Sequence, residues 1–234
     1  MILSIETATE VCSIALHSNK KLVAYEEIHL QKSHSGYLTV MIEHLMNSCG
    51  VAVTDVEGIA VSEGPGSYTG LRIGVSTAKG LCYAWEKPLI AISTLEAMAI
   101  SAIKNVPSFI QHDHIFCPML DARRMEVYLA LYDKSLSQTL APQPVIIDNN
   151  SLESYSDKHK IICFGNGAKK CKDVLLHENF LFIDGYIPSA KGVGILAQQA
   201  YNDKRFVDLA YFEPFYLKTY QAARATKNKI LGSI

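Results

Sequence analysis

Much that would point to a familiar chemistry is missing from this chain. It holds 22 Lys and Arg against 23 Asp and Glu, a formal charge of −1. A protein that grips nucleic acid unaided needs a positive surface to neutralise phosphates, and this balance argues against one. No run approaches the roughly 20 consecutive apolar residues of a membrane-spanning helix, which excludes an integral membrane protein of that kind. The opening MILSIETATE has no basic segment ahead of an apolar one, so it is not expected to be a signal peptide. Six cysteines are present without a CxxC pair, so neither a zinc site nor a redox dithiol is signalled. Cys12, Cys49, Cys82, Cys117, Cys163 and Cys171 read as small core hydrophobes in a reducing cytosol. Neither GxSxG nor HExxH occurs. His112 and His114 flank Asp113 in an apparent loop, and His34 and His44 fall on different faces of one helix, so no metal is expected.

What is present is a well-punctuated α/β pattern. The 234 residues, 49% of them hydrophobic, suffice for one large domain or two of about 100–130 residues. Apolar runs at residues 1–7, 11–17 and 22–28 predict a three-strand antiparallel meander. A helix is expected over 35–49 with Gly50 as its cap, a strand over 58–62, and a helix over 71–85 stopped by Pro88. A strand at 89–92 and a helix to about 103, opened by a Ser93–Glu96 capping box, complete the first half. The second half is a looser version of the same order. Strands are expected at 115–120, 125–132, 145–147 and 161–164, and helices at 151–155 and 189–201. This predicts two tandem βββαβα-type domains, 1–105 and 106–234, with the 215–234 tail able to pack back on the first. The halves differ in charge: six basic against ten acidic residues in 1–100, and 16 against 13 in the remainder.

The segment GPGSYTG, residues 64–70, stands between a strand and a helix. Its backbone N–H groups and the helix end suit an anion. It lacks the Walker Lys and Ser/Thr after Gly70, and Thr69 stands where a dinucleotide fingerprint needs its third glycine. The alternative is a tight turn with Ser67 or Thr69 capping the helix. In the first strand turn, the Thr7 and Thr9 hydroxyls are placed for a phosphate, with Glu6 beside them to help hold a metal–nucleotide complex; a polar hairpin turn is the other reading. Thr7, Thr9, Gly64, Gly66 and Ser67 are therefore the candidate nucleotide contacts. The corresponding turn of the second half reads Asp121-Ala122-Arg123-Arg124. It has no glycine to let a phosphate approach.

ILSIETATEVCSIAL, EGPGSYTGLRIGVSTAKGL, DARRMEVY and AYFEPFYLK together resemble the TsaB (YeaZ) family. The resemblance covers nearly all of residues 1–132 and resumes around 211–218. It implies an actin-like ATPase (ASKHA) fold and a cytoplasmic role in making threonylcarbamoyladenosine, the modified base beside the anticodon of tRNAs reading codons that start with A. It implies a catalytic partner of the same fold, TsaD, in a heterodimer, with the ATPase TsaE and with TsaC as supplier of the activated intermediate. tRNA is met through that complex. No cofactor is expected to bind tightly, with ATP or ADP placed at the complex interface. In TsaD an N-H-x-x-G-H segment follows the strand that resembles PLIAI, and its two histidines bind the catalytic metal. Thr94 and Met98 stand at those positions here, so no catalytic residue is assigned and a pseudo-enzyme is expected. The alternative is a stand-alone ATPase or kinase of the same fold.

The first helix carries more apolar surface than one sheet needs. Leu38, Ile42, Leu45 and Cys49 make one stripe for the sheet, and Tyr37, Val40, Met41 and His44 a second. In the second helix Gly74 and Leu81 widen the stripe of Leu71, Val75, Ala78, Cys82 and Trp85, and Gly74 and Ala78 are small enough to admit another helix. Tyr37, Val40, Met41, His44, Arg72, Gly74, Ala78, Leu81 and Trp85 are therefore expected to form the face that meets TsaD, and to support a homodimer when the chain is free. Lys218, Arg224, Lys227 and Lys229 in the acid-free tail are a weaker candidate for tRNA contact.

Overall fold

A computed structural model of the chain describes residues 1–29, 34–107 and 114–218. His112, Asp113 and most of the basic tail lie outside the described residues. Strands β1 (Ile2–Glu6), β2 (Val11–Ser18) and β3 (Lys21–His29) form the antiparallel meander, and β4 (Gly58–Gly64) and β5 (Leu89–Ser93) extend it in parallel beyond β1. The order across this sheet is β3-β2-β1-β4-β5. Between them run α1 (His34–Ser48), a short 3-10 turn (Val53–Asp55) and α2 (Tyr68–Trp85), and α3 (Thr94–Asn105) follows β5. The second sheet repeats the order as β8-β7-β6-β9-β10, with the same parallel and antiparallel senses. Its strands are β6 (His114–Asp121), β7 (Glu126–Tyr132), β8 (Gln138–Ile146), β9 (Lys160–Phe164) and β10 (Phe180–Phe182). The short helices α4 (Glu153–Ser156) and α5 (Ala168–Cys171) flank β9, and α6 (Ala190–Asn202) comes last.

Three elements differ from expectation. β8 runs over nine residues rather than three. It contains Pro142 and Pro144, which break the strand pattern in a sequence, but it is an edge strand and the missing N–H groups need no partner there. α5 and β10, at four and three residues, are too short to show a period.

Each sheet is covered on both faces, and the last helix of each half crosses to the other half. One face of the first sheet packs Leu3, Ile5, Ile14 and Val61 against α1 and α2. On the opposite face Ile2, Ala60, Ile90 and Ile92 meet Val193, Ala197 and Ala200 of α6. Leu95, Met98 and Ala102 of α3 pack on Phe116, Ile162 and Phe164 of the second sheet. α3 and α6 also touch each other, and a Cβ at Gly192 would lie only 2.5 Å from Ser101 Oγ. After α6 the chain returns to the first sheet. Val207 bridges to Leu89, and the Phe215 amide donates to the Glu63 carbonyl at 2.7 Å.

In α1 the buried residues are Leu38, Met41, Ile42, Leu45 and Met46. This is the i, i+3, i+4, i+7, i+8 set of one helix face. Two expectations are corrected by it. Cys49 is exposed and takes no part in the sheet-facing stripe, whereas the other five cysteines are buried. Met41 is only 2% exposed and belongs to the monomer core, because it lies one turn from both Leu38 and Leu45 on the packed side.

Candidate functional site

The first hairpin turn and the glycine-rich loop meet at the ends of β1 and β4, as the phosphate reading requires. What they do there is pack on each other. The Thr7 hydroxyl donates to the Gly70 carbonyl at 2.8 Å in a buried contact, and the Ser67 amide donates to the Ala8 carbonyl at 2.7 Å. A Cβ at Gly66 would stand 2.5 Å from the Ala8 carbonyl oxygen, one at Gly70 would overlap the Thr7 carbonyl, and one at Gly74 would overlap Thr7 Oγ1. Real side chains do not tolerate such approaches, so these glycines admit the turn against α2. Gly64 has φ +119° and joins Pro65 through a cis bond, and its own missing Cβ would sit 2.7 Å from the Phe215 carbonyl oxygen. Ser67 caps α2 by accepting from the Gly70 amide at 3.2 Å, which leaves Thr69 out of that role. Thr9 is half-buried and accepts from the Val11 amide. Of the candidate nucleotide contacts, Ser67 alone is exposed.

Beneath the turn lies a buried polar seam on the α6 side of the first sheet. Glu6 stands opposite Ser13, Ser4 opposite Ala15 and Ile2 opposite His17, so these side chains share one face. Glu6 Oε1 accepts from the Ala8 amide at 2.6 Å and from Ser62 Oγ at 2.9 Å. Ser13 Oγ accepts from the Ala190 amide at the start of α6 at 2.9 Å. Burial pushes the Glu6 carboxyl up to about 7 against those hydrogen bonds, which pull it the other way. Burial pushes His17 down to about 4, with Lys104 acting in the same direction. Ser4 Oγ, Glu6 Oε2, His17 Nδ1, Thr94 Oγ1 and Gln198 Oε1 are buried with no partner among the described residues. Thr94 and Met98 are buried too, and Met98 Cε would lie 2.7 Å from a Cβ at Gly165. Among the described residues no group of three or more His, Cys, Asp or Glu is placed to hold a metal ion.

The second hairpin turn is closed from below. Lys170 of α5 reaches up to the Asp121 carboxylate and to the Arg124 and Glu126 carbonyls, both at 2.6 Å, and Asn166 Oδ1 accepts from the Asp121 amide at 3.0 Å.

The expected partner face divides. Tyr37 and Val40 are 47% and 57% exposed, and His44 is exposed with Nδ1 3.0 Å from Glu26 Oε2. Arg72 is exposed, lies 4.2 Å over the Tyr68 ring and donates to the Tyr216 hydroxyl at 3.2 Å. Leu81 and Trp85 are partly buried and, with Ile42, Met46 and Val51, line a groove of about 390 Å³ between the C-terminal halves of α1 and α2. Gly74 and Ala78 are buried, which corrects their assignment to the outer face. Gly74 is spent on Thr7, and Ala78 faces the sheet. Sequence reasoning missed Tyr83, which is 80% exposed on α2 next to buried Cys82; an aromatic one position off a buried stripe was the available signal.

The family model for TsaD, tRNA N6-adenosine threonylcarbamoyltransferase, matches residues 27–225. The tRNA threonylcarbamoyladenosine biosynthesis protein TsaB of Bacillus subtilis is 33% identical over 81% of this chain and 80% of its own length. The chain belongs to the TsaB branch of the TsaD family. The TsaB protein of Escherichia coli is 30% identical over 93% of the chain and 94% of its own length. The structure of YeaZ from Pseudomonas aeruginosa superposes with a TM-score of 0.78 at 26% identity, over 92% of this chain and 99% of that one. As fold alone, the likeness extends to the activator of 2-hydroxyisocaproyl-CoA dehydratase from Clostridium difficile, solved with bound ADPNP, at a TM-score of 0.52 and 12% identity over 87% of this chain and 97% of that one. The fold is thus the two-domain, actin-like one that the TsaB resemblance implies. No helix among the described residues is long and apolar enough to cross a membrane.

Proposed function

We propose that this chain is a non-catalytic cytoplasmic subunit that binds and supports a TsaD-type catalytic subunit while threonylcarbamoyladenosine is formed beside the anticodon of tRNAs reading codons that start with A. The observation that carries this reading is the use made of the glycine-rich loop. Gly66, Gly70 and Gly74 give their space to Thr7 and Ala8 of the same chain, so the missing Cβ atoms of the loop are accounted for without a phosphate. The two tandem βββαβα-type units, 1–105 and 106–234, serve as a scaffold. Its working surface is the exposed remainder of α1 and α2: Tyr37, Val40, His44, Arg72 and the groove at Leu81 and Trp85. An apolar face of this kind on a small protein marks an interface. The same face supports self-association of the free chain. TsaE joins the assembly, TsaC feeds it, tRNA is reached through it, and ATP or ADP belongs at the complex interface.

A Val40→Glu variant tests the reading. Val40 is exposed, so the isolated chain keeps its melting temperature, while an unpaired carboxylate buried in the interface abolishes association with TsaD in sedimentation and stops base modification in the reconstituted reaction. A folded variant that still binds TsaD with unchanged affinity would sink the assignment. Steady ATP turnover by the isolated chain, lost in Thr9→Ala, would favour the stand-alone ATPase instead.

A further inference from the structure

The turn between β6 and β7 has a backbone that its residues do not favour. Arg123 has φ +71° and Arg124 φ +48°, so two consecutive long side chains occupy the left-handed region. Turns of this shape are normally built from Asn, Asp or Gly. Here two arginines hold that backbone instead. Both are exposed, and neither guanidinium makes an ion pair or hydrogen bond with any described residue. The two acids of the hairpin itself are already taken. Asp121 is held by Lys170, and Glu126 by Lys218. Lys169 and Lys172 on and beside α5, whose start abuts the turn through Gly167 and Asn166, are exposed and likewise free of ion pairs among the described residues. Residues 121–126, 166–173 and 218 together hold six Lys or Arg against three Asp or Glu, in a chain whose overall charge is −1.

We infer that this end of the second sheet is a contact surface for the phosphate backbone of structured RNA, with Arg123 and Arg124 as the contacting side chains and Lys170 as the residue that holds their turn. Planar guanidinium groups suit phosphate better than ammonium groups do, and two of them on a rigid hairpin tip fit one backbone at successive phosphates. The inference rests on the proposed role in tRNA modification for its choice of polyanion. It places the RNA contact on the second unit rather than on α1 and α2.

The double substitution Arg123→Asn and Arg124→Gly provides the test, because it gives the turn the residues its backbone favours. The variant melts no lower than the parent, so lost binding cannot be a folding defect. Binding of an unmodified tRNA transcript is followed by fluorescence anisotropy from 50 to 200 mM salt, with the chain assembled with TsaD and with the chain alone. Affinity in the complex falls by about tenfold, and the slope of log K against log salt becomes shallower by about 1.8, or 0.9 for each lost phosphate contact. An unchanged affinity and slope in the folded, assembled variant overturns the inference. So does a variant that loses TsaD rather than RNA, because the surface would then belong to an acidic protein. If the parent itself does not assemble with TsaD, the proposed function fails, and the RNA inference is decided by the chain-alone titration, where equal slopes for parent and variant overturn it.

Discussion

Replacing Glu6 by Gln should remove most of a pH dependence that the buried seam imposes on stability. The carboxyl is fully buried and pushed from 4.5 to about 7. Between those values the folded chain keeps a proton that the unfolded chain releases. The stability contributed by the protonated acid is therefore fully present below pH 4.5 and is lost as the pH rises through 7. A difference of 2.5 at 1.36 kcal/mol each corresponds to about 3 kcal/mol. Gln keeps an oxygen to accept from the Ala8 amide and the Ser62 hydroxyl, and it does not titrate. Its stability relative to the parent should rise by about 2–3 kcal/mol between pH 5 and pH 8, a shift of about 1 M in the urea midpoint with m unchanged. His17 works in the opposite sense. Lowered to about 4, it must charge on unfolding in acid, so its contribution is lost as the pH falls from 6.5 towards 4. The parent curve is consequently flatter than either group alone would make it. His17 does not disturb the comparison, because it is present in both proteins and lies four residues along the strands from Glu6, about 13 Å at strand spacing. A variant that follows the parent at a constant offset from pH 5 to 8 would refute the reasoning. It would mean that water reaches Glu6, and hence that the hairpin turn and α6 do not close over it.

Glycines on α2 should respond to alanine in opposite directions. Gly80 has nothing within 4 Å of its missing Cβ, so Gly80→Ala should stabilise by about 0.5–1 kcal/mol in urea melts. Gly74→Ala drives a methyl into Thr7 Oγ1 and should cost about 1–3 kcal/mol. In α1, Met41→Ala should cost about 2–5 kcal/mol by opening a core cavity, whereas Val40→Ala should stay within about 0.5 kcal/mol; equal losses at the two positions would mean that the helix is rotated from the face described.

Most of the element order was legible because period and punctuation agree. The first-half helices close where Gly50 and Pro88 say they should, and Ser93 caps α3 through the Glu96 amide. The outer face of α1 was only half legible. Tyr37, Leu38, Val40, Met41, Ile42, Leu45 and Met46 wrap more than half the helix, and hydrophobicity alone cannot say which five face inward. Packing against α2 as well as the sheet selects Met41 over Val40. The glycine-rich loop was legible as a close approach but ambiguous in what approaches. A phosphate and a neighbouring hairpin both require a position without Cβ, and only the location of Thr7 and Ala8 distinguishes them. Nothing local announced the crossing of α3 and α6, because each reads as an ordinary amphipathic helix whichever sheet it covers.

That crossing bears on how a chain of this fold is put to use. Opening a cleft between two units requires an interface that slides or hinges at low cost. Here α6 is set against the first sheet through Gly194, whose Cβ would overlap His17, and its first amide is bonded to Ser13. It is set against α3 through Gly192 and Ser101. Small residues in such contacts leave no slack, and close-packed interfaces resist continuous deformation. The returning segment adds Phe215 on Glu63, Lys79 on the Ala210 and Phe212 carbonyls at 3.1 Å, and Lys218 on Glu126 of the second sheet. One strap is thus tied to both halves. Any motion of one half against the other has to break or slide these contacts. The contacts at Gly192, Gly194 and Phe215 therefore tie α1 and α2, on the first sheet, to the β6–β7 turn on the second; if both proposed surfaces hold, the same fastening fixes their relation.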